Sequence, residues 1–291
     1  MHLAAEAPAP ALHGDWPHAA QSRFARVRPH HWHIQEMGQG PEILFLHGAG
    51  GATHSWRGVL PALEAFRGVA VDLPGHGFTK LGARQRSSLE CIAQDLAALC
   101  ASEGWDIKGI VGHSAGGAIA LRLSGLLPGS PPVLAINPAL QPFHGVAGVV
   151  FPMAARAIAT LPFAVDLIRR TLVAPDRAAQ LLAGTGSRLD PEGVALYARL
   201  LRQRAHVEGA LLMMAQWSLE GLMADLPKLG TKALFLVGDG DRTVPPVTAL
   251  EAARQMPAAE VESLGPLGHL AHEEAPAEVA RRIETFFALH A

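Results

Sequence analysis

Short apolar runs alternate along the chain with longer segments whose apolar residues recur at helical spacing. The runs at 24–27, 32–37, 43–46, 69–71, 107–111, 133–136, 233–237 and 261–263 read as eight strands. Segments 87–102, 115–127, 247–255 and 277–289 read as the clearest helices. Strand and helix in alternation predict an α/β architecture, a mostly parallel sheet flanked by helices on both faces. The alternation stops after Asn137-Pro138 and resumes only at Lys232. Residues 139–228 hold helical, Pro-punctuated segments without a convincing strand, so a helical cap inserted after the sixth strand is expected.

The core domain then comprises residues 18–138 and 229–291. Residues 1–17, rich in Ala, Pro and His, read as a mobile N-terminal arm. Phe151, Met213, Met214 and Trp217 stand out among the apolar cap residues. Such side chains either bury the cap against the core or line an apolar substrate pocket, for which methionine is an adaptable wall.

Composition narrows the class of partner. With 291 residues, 49% of them hydrophobic, the chain can bury one large core. A formal net charge of -2, with scattered basic residues, argues against nucleic acid and against a polybasic membrane anchor. Cys91 and Cys100, nine positions apart in one helical pattern, are separated by roughly 13 Å along the axis, too far for a disulfide. The N-terminus has no basic start followed by an apolar core, and the best apolar stretch, 145–155, is too short to span a bilayer and is followed by Arg156. These features point to a cytoplasmic protein without a transmembrane segment, with peripheral membrane contact still open.

The candidate chemistry centres on Gly112-His113-Ser114-Ala115-Gly116, between an apolar strand and a helix. A serine in such a turn is held in a strained conformation, and flanking glycines let strand and helix pass closely. A serine hydroxyl needs a base to take its proton and a carboxylate to orient that base, in chain order Ser, Asp or Glu, His. Asp241 lies past the strand at 233–237, and His269 sits in a glycine-rich loop after the last strand. Their rivals are Asp239, which can instead shape a turn, and His272, expected on the final helix.

An oxyanion needs two preset N–H donors. Ala115, next to the serine, and Ala49, in His47-Gly48-Ala49-Gly50-Gly51, are expected to supply them, with Gly50 as the alternative. Gly50 and His113 also border the space where substrate would sit. No phosphate-binding motif is present, so no cofactor is expected. Asp72 reads as a turn residue bonding loop amides. His30, His31 and His33 have no carboxylate or cysteine nearby in sequence, and no metal is expected there. A serine at the elbow implies an acyl-enzyme rather than the alkyl-enzyme ester of epoxide opening. Acyl transfer to water is the default, and carbon–carbon bond hydrolysis or perhydrolysis could use the same three residues.

These residues resemble the α/β-hydrolase superfamily from about Trp32 onward. A narrower resemblance rests on Asp15-Trp16-Pro17-His18, Trp32-His33-Ile34-Gln35, Thr53-His54-Ser55-Trp56-Arg57, Thr185-Gly186-Ser187-Arg188-Leu189-Asp190 and Gly268-His269-Leu270-Ala271-His272-Glu273-Glu274. It is similar to the magnesium-chelatase accessory proteins of bacteriochlorophyll biosynthesis in photosynthetic bacteria. That resemblance implies a pathway at or near magnesium insertion, a tetrapyrrole as possible ligand and contact with magnesium chelatase. It does not imply a reaction. Arg156, Arg188 or Arg202 could meet a porphyrin's carboxylates if they face the cap pocket. A non-catalytic, tetrapyrrole-binding accessory role stays open beside the hydrolase reading.

Overall fold

The computed structural model describes residues 14–141, 164–174 and 176–290. Eight strands form one sheet: β1 (Ser22–Val27), β2 (His30–Met37), β3 (Glu42–Leu46), β4 (Arg67–Val71), β5 (Ile107–His113), β6 (Val133–Ile136), β7 (Ala233–Val237) and β8 (Ala259–Ser263). Their order is β1-β2-β4-β3-β5-β6-β7-β8. β2 runs antiparallel to both neighbours, and every other pairing is parallel.

Alternate residues on each strand face opposite sides, so two cores form. Leu44, Leu46, Val69 and Phe235 pack on one face beneath α1 (Leu89–Glu103), α2 (Ala115–Ser124) and α8 (Pro246–Ala253). Ile43, Phe45, Val111 and Leu236 pack on the other, against Trp56 and α10 (Pro276–His290). The central strands β3, β6 and β7 are almost wholly buried, which is why they read as continuous apolar runs.

Five described helices lie between β6 and β7: α3 (Ala164–Leu172), α4 (Arg177–Gly184), α5 (Pro191–Arg202), α6 (Arg204–Ala215) and α7 (Glu220–Asp225). Asp190 caps α5 by accepting from the Gly193 amide at 2.6 Å, and Pro191 follows at the first helical position. Helix α6 meets the core where Gly209 approaches Gly75, each leaving no room for a Cβ on the other.

Two expectations change. His272 lies in a separate short helix, α9 (Ala271–Glu274), because Pro276 starts the final helix anew. Trp16, expected in the mobile arm, is only 2% exposed and packs on His54 and Phe78, with the Arg199 guanidinium 5.4 Å from its ring centre. Burying an indole outweighs the entropy of fixing a few residues. Residues 1–13 of that arm lie outside the described residues.

Candidate active site

Ser114 joins β5 to α2 with φ 52° and ψ -117°. That strain, on the order of 1–3 kcal/mol, persists because the surroundings fix it. The Ser114 amide donates to the Ile136 carbonyl at 3.0 Å, and its own carbonyl accepts from Gly117 and Ala139, each at 3.0 Å. A Cβ on Gly112 would strike the Gly116 backbone, and one on Gly116 would strike the Leu46 and His47 carbonyls. Both glycines are therefore dictated by close backbone passage.

The parallel strands bring the remaining groups to the same sheet edge. Leu46 pairs with Gly112, which puts the His47–Gly51 loop beside the elbow. β6, β7 and β8 follow in order, so the loops after β7 and β8 arrive together. His269 Nδ1 donates to Asp241 Oδ2 at 2.7 Å, leaving Nε2 as the acceptor nitrogen. Asp241 Oδ1 accepts from the amides of Thr243 at 2.7 Å and Val244 at 2.9 Å. Both side chains are buried.

The rivals are engaged elsewhere. Asp239 accepts from the Ser263 hydroxyl at 2.9 Å and so ties two loops at the surface. His272 is fully buried, its ring 4.4 Å from that of His113 and 4.6 Å from that of Trp56, and neither ring nitrogen has a partner among the described residues. Burial pushes it down to about 3, so it is neutral. His113 is also neutral by burial, with its Nε2 donating to the His269 carbonyl at 2.9 Å.

Asn137 is a site residue that sequence reading missed. With φ 45° it follows β6, donates to the carbonyls of Gly268 (3.0 Å) and His269 (2.9 Å), and accepts from the Gly238 amide at 2.8 Å. One side chain thus links the loops bearing Asp241 and His269. The available signal was an asparagine, tolerant of positive φ, at a strand end before Pro138.

The loop expected to hold the oxyanion is supported from below and above. His47 Nδ1 donates to the Gly48 carbonyl at 2.8 Å and Nε2 accepts from Leu73 at 2.9 Å. Asp72 accepts from the amides of Thr53 (2.6 Å) and Phe78 (2.8 Å) and from His33 Nδ1 (2.7 Å), and His33 and its other partners hold it well below the usual carboxylate range. The turn role of Asp72 stands. The local reading of the strand histidines does not: His33 pairs with Asp72 and His30 with Asp95 at 3.0 Å, carboxylates distant in sequence.

A cavity of about 680 Å³ opens at the elbow. Ser114 and His269 line it, as do Ala49, Gly50, His113 and Ala115 from the core. Met213, Met214 and Trp217 line it from the helical insertion, with Leu182 and Tyr197. Phe151 and Arg156 lie outside the described residues. Among the described residues, no Asp, Glu, Lys or Arg lines the cavity. Of the expected arginines, Arg188 and Arg202 therefore do not meet a ligand there. Tyr197 and Leu201 point one face of α5 at the cavity, whereas Arg199 and Arg202 face a separate groove with Lys80 and Arg84. Arg188 is exposed and its amide donates to Glu274 at 3.1 Å.

Beside Tyr197 lies a second element the sequence did not disclose. Its hydroxyl donates to Glu273 Oε1 at 2.7 Å, while Arg57 contacts the other Glu273 oxygen and reaches Asp190 at 3.3 Å. Burial pushes the Glu273 carboxyl up to about 7, against the pull of Arg57. Insertion and core are latched here.

Residues 43–282 match the profile of the alpha/beta hydrolase family. The chain is 43% identical over 268 residues to the magnesium-chelatase 30 kDa subunit of Rhodobacter capsulatus, covering 91% of this chain and 94% of that protein. A shorter match, 37% over 83 residues, is to pimeloyl-[acyl-carrier protein] methyl ester esterase of Aeromonas hydrophila, covering 27% of this chain and 33% of that protein. Among solved structures, the epoxide hydrolase CorEH superposes with a TM-score of 0.76 at 20% identity, covering 92% of this chain and 98% of that one. A thermophilic esterase from Thermogutta terrifontis superposes with a TM-score of 0.71 at 21% identity, covering 94% and 100%. Those last two likenesses extend to the fold, while the profile and the long relative carry the family: the chain belongs to the alpha/beta hydrolases.

Proposed function

We propose that the protein is a serine hydrolase that cleaves an ester or related acyl bond of a bulky apolar substrate. The observation that carries this reading is Ser114, strained at φ 52° on the wall of the cavity, with His269 lining the same space and hydrogen-bonded to the buried Asp241 behind it. In the reaction, Ser114 Oγ attacks the acyl carbon as His269 Nε2 takes its proton. Asp241 fixes the Nδ1–H tautomer and stabilises the imidazolium that forms. Its own two amide donors keep it aimed.

The Ala49 and Ala115 amides receive the oxyanion. Ala115 opens α2, so its N–H has no intrahelical acceptor and sits at the positive end of the helix dipole. His269 then protonates the leaving alcohol, and water deacylates the enzyme by the same route in reverse. His113, held neutral, adds no positive charge beside the imidazolium. The helical cap roofs the cavity with Met213, Met214 and Trp217, which suits a large uncharged acyl or aromatic group. Likeness to a magnesium-chelatase subunit supports a role near magnesium insertion, in contact with the chelatase.

The test is turnover of short p-nitrophenyl esters by the wild type and by Ser114→Ala. The variant should lose several orders of magnitude in kcat with the fold intact. Equal rates would refute the reading. A second reading, an accessory protein whose triad is idle and whose cavity holds a tetrapyrrole, is favoured by the 43% identity to a chelatase subunit. It predicts that protoporphyrin or its magnesium form quenches fluorescence, and that Trp217→Phe removes the quenching, while no ester is turned over.

A further inference from the structure

The insertion does more than roof the cavity. The three residues after α4 are wedged between the loops that carry Asp241 and His269. The Thr185 carbonyl accepts from the amides of Arg242 at 3.1 Å and His269 at 3.4 Å. The Ser187 hydroxyl, on a side chain 3% exposed, accepts from the Leu270 amide at 2.7 Å. Gly186 between them has φ 87°, and a Cβ there would run into the Gly240 carbonyl. A Cβ on Gly268 would stand 2.5 Å from the Gly186 carbonyl carbon and the Ser187 nitrogen. The strap 185–187 therefore grips the chain on both sides of the His269–Asp241 hydrogen bond.

The same strap is joined rigidly to the cavity wall. Ala178, Leu181, Leu182 and Thr185 all line the cavity, so α4 runs from that wall into the strap. The Thr185 hydroxyl donates to the Leu182 carbonyl at 2.6 Å, and the Thr185 and Gly186 amides donate to the carbonyls of Leu182 (3.0 Å) and Ala183 (3.1 Å). Whatever restrains α4 restrains the strap.

We propose that Thr185-Gly186-Ser187 is a positioning element of the triad and couples occupancy of the cavity to the alignment of Asp241 with His269. The proposal rests on the serine-hydrolase reading. A substrate chain packed on Leu181 and Leu182 orders α4, and through the strap it fixes the acid and base loops. Binding energy from that remote part of the substrate then appears in kcat rather than in KM. For p-nitrophenyl esters, kcat should rise from the acetate to the octanoate.

Two readouts test this in Ser187→Ala, with Ser187→Thr as the conservative variant. The first needs no turnover: the low-field proton resonance of His269 Nδ1–H, bonded to Asp241. It should be sharp in the wild type, broadened and faster to exchange in Ser187→Ala, and restored in Ser187→Thr. The second is kcat against acyl chain length. Ser187→Ala should flatten it and lower octanoate turnover roughly tenfold to a hundredfold, with KM little changed.

Should Ser187→Ala fail to fold, Leu181→Ala serves, since Leu181 is 46% exposed at the rim; it should flatten the same dependence through kcat. A Ser187→Ala protein that keeps both the wild-type resonance and the wild-type chain-length dependence overturns the proposal. Absence of turnover by the wild type on every ester refutes the triad reading instead, and the resonance alone then decides whether the strap holds the pair.

Discussion

His206 of α6 donates from Nε2 to the Gly50 carbonyl at 3.1 Å, while its Nδ1 accepts from the Gly77 amide at 3.0 Å. One neutral imidazole from the insertion thus steadies the loop that would bind the oxyanion, and burial pushes its pKa down to about 4. His206→Ala leaves a buried amide and carbonyl without partners and a void between two layers. We expect a loss of about 2–4 kcal/mol in urea unfolding. Turnover should fall about tenfold, less than the roughly 10²–10³ that follows complete loss of an oxyanion donor. Unchanged kcat at reduced stability would limit His206 to a structural role.

Acid should unfold this protein early. Burial holds His47, His54, His76, His113, His206 and His272 below the ordinary imidazole value, His206 near 4 and His272 near 3. In the unfolded chain they titrate near 6.5. Below that pH the unfolded chain binds protons that the folded chain refuses, so this stability is fully present above about 6.5 and lost as pH falls. Each such histidine contributes up to about 1.4 kcal/mol per pH unit. Glu273, raised to about 7, works in the opposite sense between its unfolded value and 7 and offsets one of the six. Thermal melts should show Tm dropping steeply between about pH 6.5 and 5, and a flat Tm across that window would contradict the buried neutral assignment.

The two carboxylates after β7 should separate cleanly. Asp241→Asn keeps the shape but gives His269 the wrong tautomer and no countercharge, costing on the order of 10⁴ in kcat if it behaves as the serine-protease aspartate does. Asp239→Asn only weakens a surface bond to Ser263 and should cost far less. The reverse ranking in p-nitrophenyl ester assays would reassign the acid.

Arg57 contacts Glu273, whose side chain has no exposed surface. Arg57→Ala strands that carboxyl and frees Asp190 from the latch, leaving Glu273 only its bond from Tyr197. We expect about 3–5 kcal/mol of destabilisation in urea unfolding, and Arg57→Ala with Glu273→Gln should recover part of it. No recovery in the double variant would mean that Arg57 acts through packing alone.

Much of the fold was legible because its signals are local. Eight short runs became eight strands within a few residues, and the candidate acid and base could be read because each follows a strand in the parallel part of one sheet. The final turns of helix 115–127 were overread, since Gly125 and Pro128 stop α2 at Ser124. What stayed hidden depends on long-range pairing. His33 meets Asp72 across 39 residues and His30 meets Asp95 across 65, so no local window could show either pair. Asn137 read only as the end of a pattern, yet its amide spans both loops. Thr185-Gly186-Ser187 stood out as a motif, but its role needed the insertion folded back onto the core.

The most direct measurement is the intact mass of the protein after reaction with a fluorophosphonate probe, followed by peptide mapping. The account predicts a single covalent adduct on Ser114, abolished by Ser114→Ala and slowed severely by Asp241→Asn. A wild-type protein that stays unlabelled, or is labelled on another residue, would contradict it.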